Sequence, residues 1–279
     1  MIYSIDYFSF TIPTERPFTE GMFHEQQDDV IRIFSAIFDN AEIREYFSAN
    51  WIHENALRFY QHRLRHDSTD VAISYGKTNP HVLVEFAGKA CQNLDSRDVL
   101  LPLITRFASR CSRIDFAVDI ECETSPGEFI ASRNNKSFKS SGNKYSPTGG
   151  TEYIGGRTSE RMARVYRYSK PHPRAKLLRV EAEYKGDAAK AAAEYTAAHG
   201  VQQGCLAAHV CYGWTHSDWS PDLADVAKIT YRNYKPADAS TVRWLYGDVV
   251  TALRKAIKKD LIDLQEWLDF LHKGLKDEN

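Results

Sequence analysis

Hydrophobic and polar positions alternate almost from the first residue. Between 2 and 12, Tyr3, Ile5, Tyr7 and Ser9 fall on one side and Ile2, Asp6, Phe8, Phe10 and Ile12 on the other, which predicts a strand closed by Pro13. The spacing turns helical over 24–39, where Val30, Ile31, Phe34, Ile37 and Phe38 make one apolar stripe. Residues 55–75 read as strands with polar turns, and HVLVEFAG at 81–88 is a strand behind the turn signal Asn79-Pro80. Val99, Leu100, Leu103, Ile104 and Phe107 predict a helix over 95–110, followed by the strand CSRIDFAVDIE at 111–121. Ser125-Pro126 opens a short helix over 126–133, with Pro in the first helical position. The stretch 134–150, rich in Asn, Lys, Ser and Gly, reads as a mobile loop.

Three further strands follow, TEYI (151–154), RMARVYRYSK (161–170) and KLLRVEAEYK (176–185). An Ala-rich helix over 187–199 is stopped by Gly200, and Ser220-Pro221 opens another short helix. Residues 239–275 read as mostly helical. Strands joined by helices without regular alternation predict an α+β chain with an antiparallel or mixed sheet. Residues 1–200 would form its main domain and 201–279 a mainly helical segment packed on it. Ile5-Asp6 echoes Ile114-Asp115, and Val84-Glu85 echoes Val180-Glu181. A duplicated sheet-plus-helix unit would explain the echo.

Side chains at i, i+2 and i+4 of a strand share a face. That rule groups Arg113, Asp115, Ala117 and Asp119; Arg179, Glu181, Glu183 and Lys185; and Arg164, Tyr166, Tyr168 and Lys170. If the three strands are neighbours, one surface holds four carboxylates, two tyrosines and several cations. A solvated face laced with surface ion pairs accounts for one such strand. It gives no reason for acids on two strands and Tyr with Arg on a third. Paired carboxylates suit a hard divalent cation, Mg²⁺ or Mn²⁺. Such an ion can polarise a phosphodiester oxygen, and a tyrosine beside it can act as nucleophile.

Charge sharpens this picture. The chain of 279 residues carries 36 Lys+Arg against 37 Asp+Glu, yet nine Lys/Arg and three acids lie between Arg157 and Lys185. Arg157, Arg161, Arg167, Arg174, Lys176, Arg179 and Lys185 are therefore candidate DNA-binding cations, against the plainer reading of a solvated charge run. Gly149-Gly150 and Gly155-Gly156 could admit a phosphate or simply turn hairpins. His62 and His66 stand at the i, i+4 spacing of a helical zinc pair but lack an HExxH context. The five Cys are unclustered and contain no CxxC, which argues against a zinc ribbon and a disulfide framework and for a reducing cytoplasm. No apolar run approaches the roughly 20 residues of a membrane helix, and MIYSIDYFSF is unlike a secretory signal.

The ordered series IDYFSFTIP, VLVEFAGKACQNL, SRIDFAVDIE, TEYIGGRTSERMARVYRYSK and LLRVEAEYK resembles the rolling-circle replication initiator family typified by staphylococcal plasmid Rep proteins. Filamentous-phage initiators and relaxases of some conjugative elements look similar. The resemblance runs from about residue 5 to 190. It implies a metal-dependent, site-specific DNA nickase and strand-joining enzyme, whose tyrosine stays attached to the 5′ end and leaves a 3′-OH primer. The family's Arg-aliphatic-Tyr-x-Lys block falls on Arg164-Val165-Tyr166. Tyr168 stands where the family has Lys, and a lysine returns at Lys170. Tyr166 is thus the implied nucleophile with Tyr168 as its alternative, and Arg164 and Lys170 the implied cationic helpers. The implied metal ligands are Asp115 with Asp119 and Glu181 with Glu183. The implied partners are origin DNA, a host helicase and polymerase, and a second copy of the chain. A relaxase, or an origin-binding protein that does not cleave, stands as the alternative.

Overall fold

The computed structural model describes residues 1–13, 23–57, 59–76, 81–93, 99–135, 150–168, 173–174, 176–223 and 226–231. Met1–Tyr231 form one compact unit. Its centre is a nine-stranded antiparallel sheet: β1 (Ile2–Pro13), β2 (Trp51–Glu54), β3 (His62–His66), β4 (Val71–Tyr75), β5 (His81–Ala87), β6 (Cys111–Glu121), β7 (Thr151–Ile154), β8 (Arg161–Arg167) and β9 (Leu177–Lys185). The strands lie in the order β2-β3-β4-β5-β1-β6-β9-β8-β7. The helices are α1 (Phe23–Ser35), α2 (Ala41–Tyr46), α3 (Lys89–Asn93), α4 (Leu101–Phe107), α5 (Pro126–Ala131), α6 (Gly186–His199) and α7 (Val201–Val210). The α+β class and antiparallel sheet expected from the sequence are therefore observed.

The strand order is symmetric about the β1–β6 pair. Beside it stand β5 and β9, then β4 and β8, then β3 and β7, with β2 as an extra edge. Each half runs from a central strand, through α1 and α2 in the first and α5 in the second, into a meander that ends beside its own start, and a helix follows. This is the duplicated unit suggested by the dipeptide echo, with Glu85 of β5 answering Glu181 of β9 about the axis of symmetry.

The two faces of the sheet differ in kind. On one face, Phe8, Phe10, Val84, Phe86, Ile114, Phe116, Val118, Val180, Ala182 and Val165 are buried. Phe107 of α4 stacks on Phe10 with centroids 4.1 Å apart, and Phe34 of α1 meets Phe86 at 6.3 Å. Ala188, Ala189, Ala192 and Ala193 are fully buried, and their small side chains let α6 lie close to β6 and β9. The Tyr184 hydroxyl of β9 donates to Ala208 O of α7 at 2.8 Å. Burial of these apolar groups is the main drive for the fold, at roughly 25 cal/mol per Å². The opposite face carries the polar side chains.

Local signals act where they were expected. Ser125 caps α5, accepting from Glu128 N at 3.3 Å while Glu128 Oε2 accepts from Ser125 N at 2.9 Å. Gly155, at φ +86°, turns the β7–β8 hairpin, and a Cβ there would come within 3.1 Å of Arg161 O. Other readings need correction. Ser220–Leu223 form no helix, because Trp219 and the loop behind it pack as irregular chain against Phe129 and His209. His62 and His66 lie on strand β3, not on a helix, and His66 is buried among Tyr46, Phe47 and Trp51. β8 ends at Arg167. The compact unit continues past residue 200 through α7, while 239–275 and most of 134–150 lie outside the described residues. All five cysteines are free thiols, and no helix among the described residues is long and apolar enough to cross a membrane.

Candidate active site on the polar face of the sheet

The register brings the three polar strands together. Asp115 pairs with Glu183, Ala117 with Glu181 and Asp119 with Arg179 across β6–β9; Arg164 pairs with Glu181 and Tyr166 with Arg179 across β8–β9. The face is polar but not solvated. Asp115, Asp119, Arg179 and Glu181 are each 2% exposed or less, and Glu183 is 6% exposed.

Tyr166 donates its hydroxyl to Glu181 Oε1, and Arg164 Nε donates to Oε2 of the same carboxylate. A second Arg164 nitrogen lies 3.7 Å from Asp115. Burial pushes the Glu181 carboxyl up to about 7 although Arg164 opposes it. Burial and the Glu181 charge push the Tyr166 phenol well above its ordinary value. Free phenolate is therefore disfavoured, and the phenol proton already points at an acceptor. Tyr168 stands beside Tyr166, ring centroids 5.6 Å apart, with the Arg179 guanidinium 5.2 Å from its ring. Lys170 lies outside the described residues.

Each acid has a cationic partner. Arg179 grips Asp119 through Nε and Nη2, both at 2.7 Å, and reaches Asp6 through Nη1 at 2.7 Å. Arg113 grips Asp115 through Nε at 2.9 Å and Nη2 at 2.6 Å, and the same Nη2 lies 2.7 Å from Glu183 Oε2. Lys185 holds the other Glu183 oxygen. Among the described residues no three Asp, Glu, His or Cys side chains form a ready metal cage. Two buried carboxylates from facing strands nevertheless converge on one cationic atom, Arg113 Nη2. That oxygen pair is of the type a hard divalent cation takes, but Arg113 holds three of its four oxygens and Lys185 the fourth, so the residues as placed do not fit such an ion.

Asp6 was not among the expected site residues. A β-bulge between Ile5 and Tyr7 shifts the β1–β6 register and admits Asp6 to the polar face, where strict alternation places it with Phe8 and Phe10. Tyr7, Glu85 and Arg63 extend the network across the other half of the sheet. Glu85 accepts from the Tyr7 hydroxyl and from Arg63, as Glu181 accepts from Tyr166 and Arg164. Only the Val84-Glu85 echo signalled this second centre.

The run of cations between Arg157 and Lys185 does not form a single patch. Arg161 lies on the helix-covered face, its guanidinium 5.0 Å from the Tyr231 ring. Arg167 is a structural clamp, donating to the carbonyls of Cys122, Thr124 and Lys176 at 2.5, 2.7 and 2.9 Å. Arg179 is buried among acids. Arg174 is 3.4 Å from Asp119, and Lys185 donates to Arg157 O at 2.8 Å. Arg157 and Lys176 are exposed.

No protein-family model matches this sequence, and no curated protein matches it. A solved structure, that of the rolling circle replication initiator protein from Geobacillus stearothermophilus, is similar with a TM-score of 0.53. The identity is 14%, over 82% of this chain and 92% of that one. The chain thus shares the fold of a rolling-circle replication initiator, the family its five ordered sequence blocks resemble.

Proposed function

We propose that the chain initiates rolling-circle replication as a site-specific, single-strand DNA nickase with Tyr166 as its nucleophile. The observation that carries this reading is the hydrogen bond from Tyr166 to Glu181, made within an acid-and-arginine face that excludes water from most of its carboxylates. As the Tyr166 oxygen bonds to the scissile phosphorus, its proton passes to Glu181. The bond from phosphorus to the 3′ oxygen breaks, and that oxygen leaves as a 3′-OH after taking up a proton. The phosphotyrosine ester keeps the bond energy, so the strand can be rejoined by the reverse step. Arg164 holds Glu181 in place and lies toward Asp115, where a cation offsets the charge that develops on the phosphate.

Asp115 and Glu183, with Asp119 and Glu181 close by, would take a Mg²⁺ or Mn²⁺ ion only after Arg113 and Lys185 release their oxygens. Such an ion would polarise a phosphodiester oxygen. Arg157 and Lys176, with Arg174 beside them, would contact phosphates of origin DNA. A host helicase and polymerase would then extend the 3′ end.

The test uses a supercoiled plasmid carrying the DNA that flanks this protein's own gene, with Mn²⁺ or Mg²⁺ present. Wild-type protein should give open circles and a 5′-linked covalent adduct. Tyr166→Phe should bind but neither nick nor form the adduct, while Tyr168→Phe should do both. Full nicking by Tyr166→Phe would move the nucleophile to Tyr168. Binding by the wild type with no adduct would leave a non-cleaving origin-binding protein.

A further inference from the structure

Arg179 stands between two acids that it does not serve equally. Its Nε and Nη2 are engaged by Asp119, which leaves Nη1 outside that fork. Nη1 lies 2.7 Å from Asp6 Oδ1 and 3.9 Å from Glu181 Oε1. Glu181 Oε1 is the oxygen that accepts the Tyr166 hydroxyl. Arg179 and Glu181 are each 1% exposed, so solvent does little to screen the attraction between them. What keeps Nη1 short of that oxygen is Asp6. The β-bulge between Ile5 and Tyr7 brings Asp6 to this face, and Gly88 N pins its backbone by donating to Asp6 O at 3.0 Å.

We infer that Asp6 is a positioning residue for nicking: it holds Arg179 Nη1 off Glu181 Oε1 and so keeps that oxygen free for the Tyr166 proton. This rests on the proposed reading of Tyr166 and Glu181, and adds to it a residue from β1, three strands away from Tyr166 in the sheet. A buried donor that loses its acceptor turns to the nearest one left. Without Asp6, the nearest carboxylate oxygen left for Nη1 is Glu181 Oε1, and closing the 3.9 Å gap to hydrogen-bond length takes a shift of about 1 Å. An arginine bond at that oxygen competes with the Tyr166 hydroxyl for its lone pairs, and the added positive charge makes the carboxylate a poorer proton acceptor. Arg164 already holds Oε2, so Glu181 would be gripped at both oxygens. The bulge thus acts on the reaction at a distance, through the one guanidinium that touches both Asp6 and the acid network around Tyr166.

The test combines two measurements on the full chain. In the first, 3-fluorotyrosine is incorporated at position 166 and its ¹⁹F resonance, which reports the hydrogen bond of the phenol, is recorded without DNA. In the second, single-turnover nicking of the supercoiled plasmid is measured with unlabelled protein. Asp6→Ala should move the resonance away from its wild-type position and lower nicking by about 10- to 100-fold, with DNA affinity unchanged. Asp6→Asn keeps a neutral acceptor for Nη1 and should fall between Asp6→Ala and the wild type in both measurements. If Asp6→Ala does not fold, Asp6→Asn carries the test. A folded variant with the wild-type resonance would overturn the inference whatever its nicking rate, because a merely structural loss does not act on the Tyr166 hydrogen bond. A moved resonance with nicking at the wild-type rate would overturn it as well. A moved resonance with no nicking by the wild type would leave the hold of Asp6 on Arg179 standing and remove the nickase reading. Nicking by the wild type with an unmoved resonance would do the reverse.

Discussion

The Tyr166 hydroxyl donates to Glu181, whose other oxygen is held by Arg164, the direct cross-strand partner of Glu181. The hydrogen-bond acceptor of the phenol is thus fixed by the β8–β9 register. Glu181→Gln keeps the shape and an accepting oxygen but cannot take up the proton. Single-turnover nicking should fall by roughly 10²- to 10⁴-fold, the usual range for a lost general base, while DNA binding is retained. Nicking within a few-fold of wild type would exclude Glu181 as the proton acceptor.

The Arg179–Asp119 fork is a structural counterpart to that pair. Both side chains are 1% exposed, with two hydrogen bonds of 2.7 Å between them. Removing one partner leaves an uncompensated buried charge. Arg179→Met should therefore lower the urea-unfolding free energy by about 3–5 kcal/mol. Replacing the fork by apolar residues, Arg179→Met with Asp119→Leu, should recover part of the loss, since Asp6 still loses its hydrogen bond from Arg179.

The alternation of residues in 111–121, 161–167 and 177–185 was enough to name the faces, and the observed register puts Asp115, Glu181, Arg164 and Tyr166 on one of them. Alternation could not reveal the bulge that admits Asp6, because a bulge is a pairing feature of two strands and not a pattern in one. Helix α7 falls in the stretch expected to be mainly helical, but its bounds were not legible, since Gly200 reads as a stop. At φ +87° it does end α6, but the next helix starts directly after it. The short α2 and β2 carry too few apolar positions to show a period. The helix expected after Ser220-Pro221 shows the converse, since a good N-terminal signal does not form a helix where aromatic packing of Trp219 sets the path. The run of cations is split between the two faces for a simple reason. Neighbouring residues of a strand face opposite ways, so Arg161 and Arg167 cannot share a surface with Arg164.

That split of the cations gives a prediction for DNA affinity. Arg157 and Lys176 are exposed, while Arg161 sits beside Tyr231 on the other face and Arg167 spends its donors on backbone carbonyls. Arg157→Ala and Lys176→Ala should each weaken single-strand binding and reduce the slope of log affinity against log salt by about 0.7. Arg161→Ala and Arg167→Ala should leave the slope unchanged, and Arg167→Ala should instead lower the thermal midpoint. Equal slopes in all four variants would show that phosphates contact other residues.

His209 makes the stability depend on acid. It lies in α7 with 0% exposure, and Trp214 Nε1 donates to its Nδ1 at 3.4 Å, which requires the neutral ring with its proton on Nε2. Burial pushes its pKa down to about 3, against about 6.5 in an unfolded chain. Between those values the unfolded chain binds a proton that the folded one refuses. The contribution of His209 is therefore complete above pH ~6.5 and drains away as the pH falls toward ~3, with about 2 kcal/mol already gone at pH 5. His209→Gln cannot titrate. It should be less stable than wild type at pH 7.5, having lost the imidazole packing between Trp214 and Trp219, but should lose less stability on going to pH 5. Urea-unfolding free energies at the two pH values measure the difference. Carboxylates shared by both proteins cancel in that comparison, so parallel pH curves would mean that His209 takes up its proton without unfolding the chain.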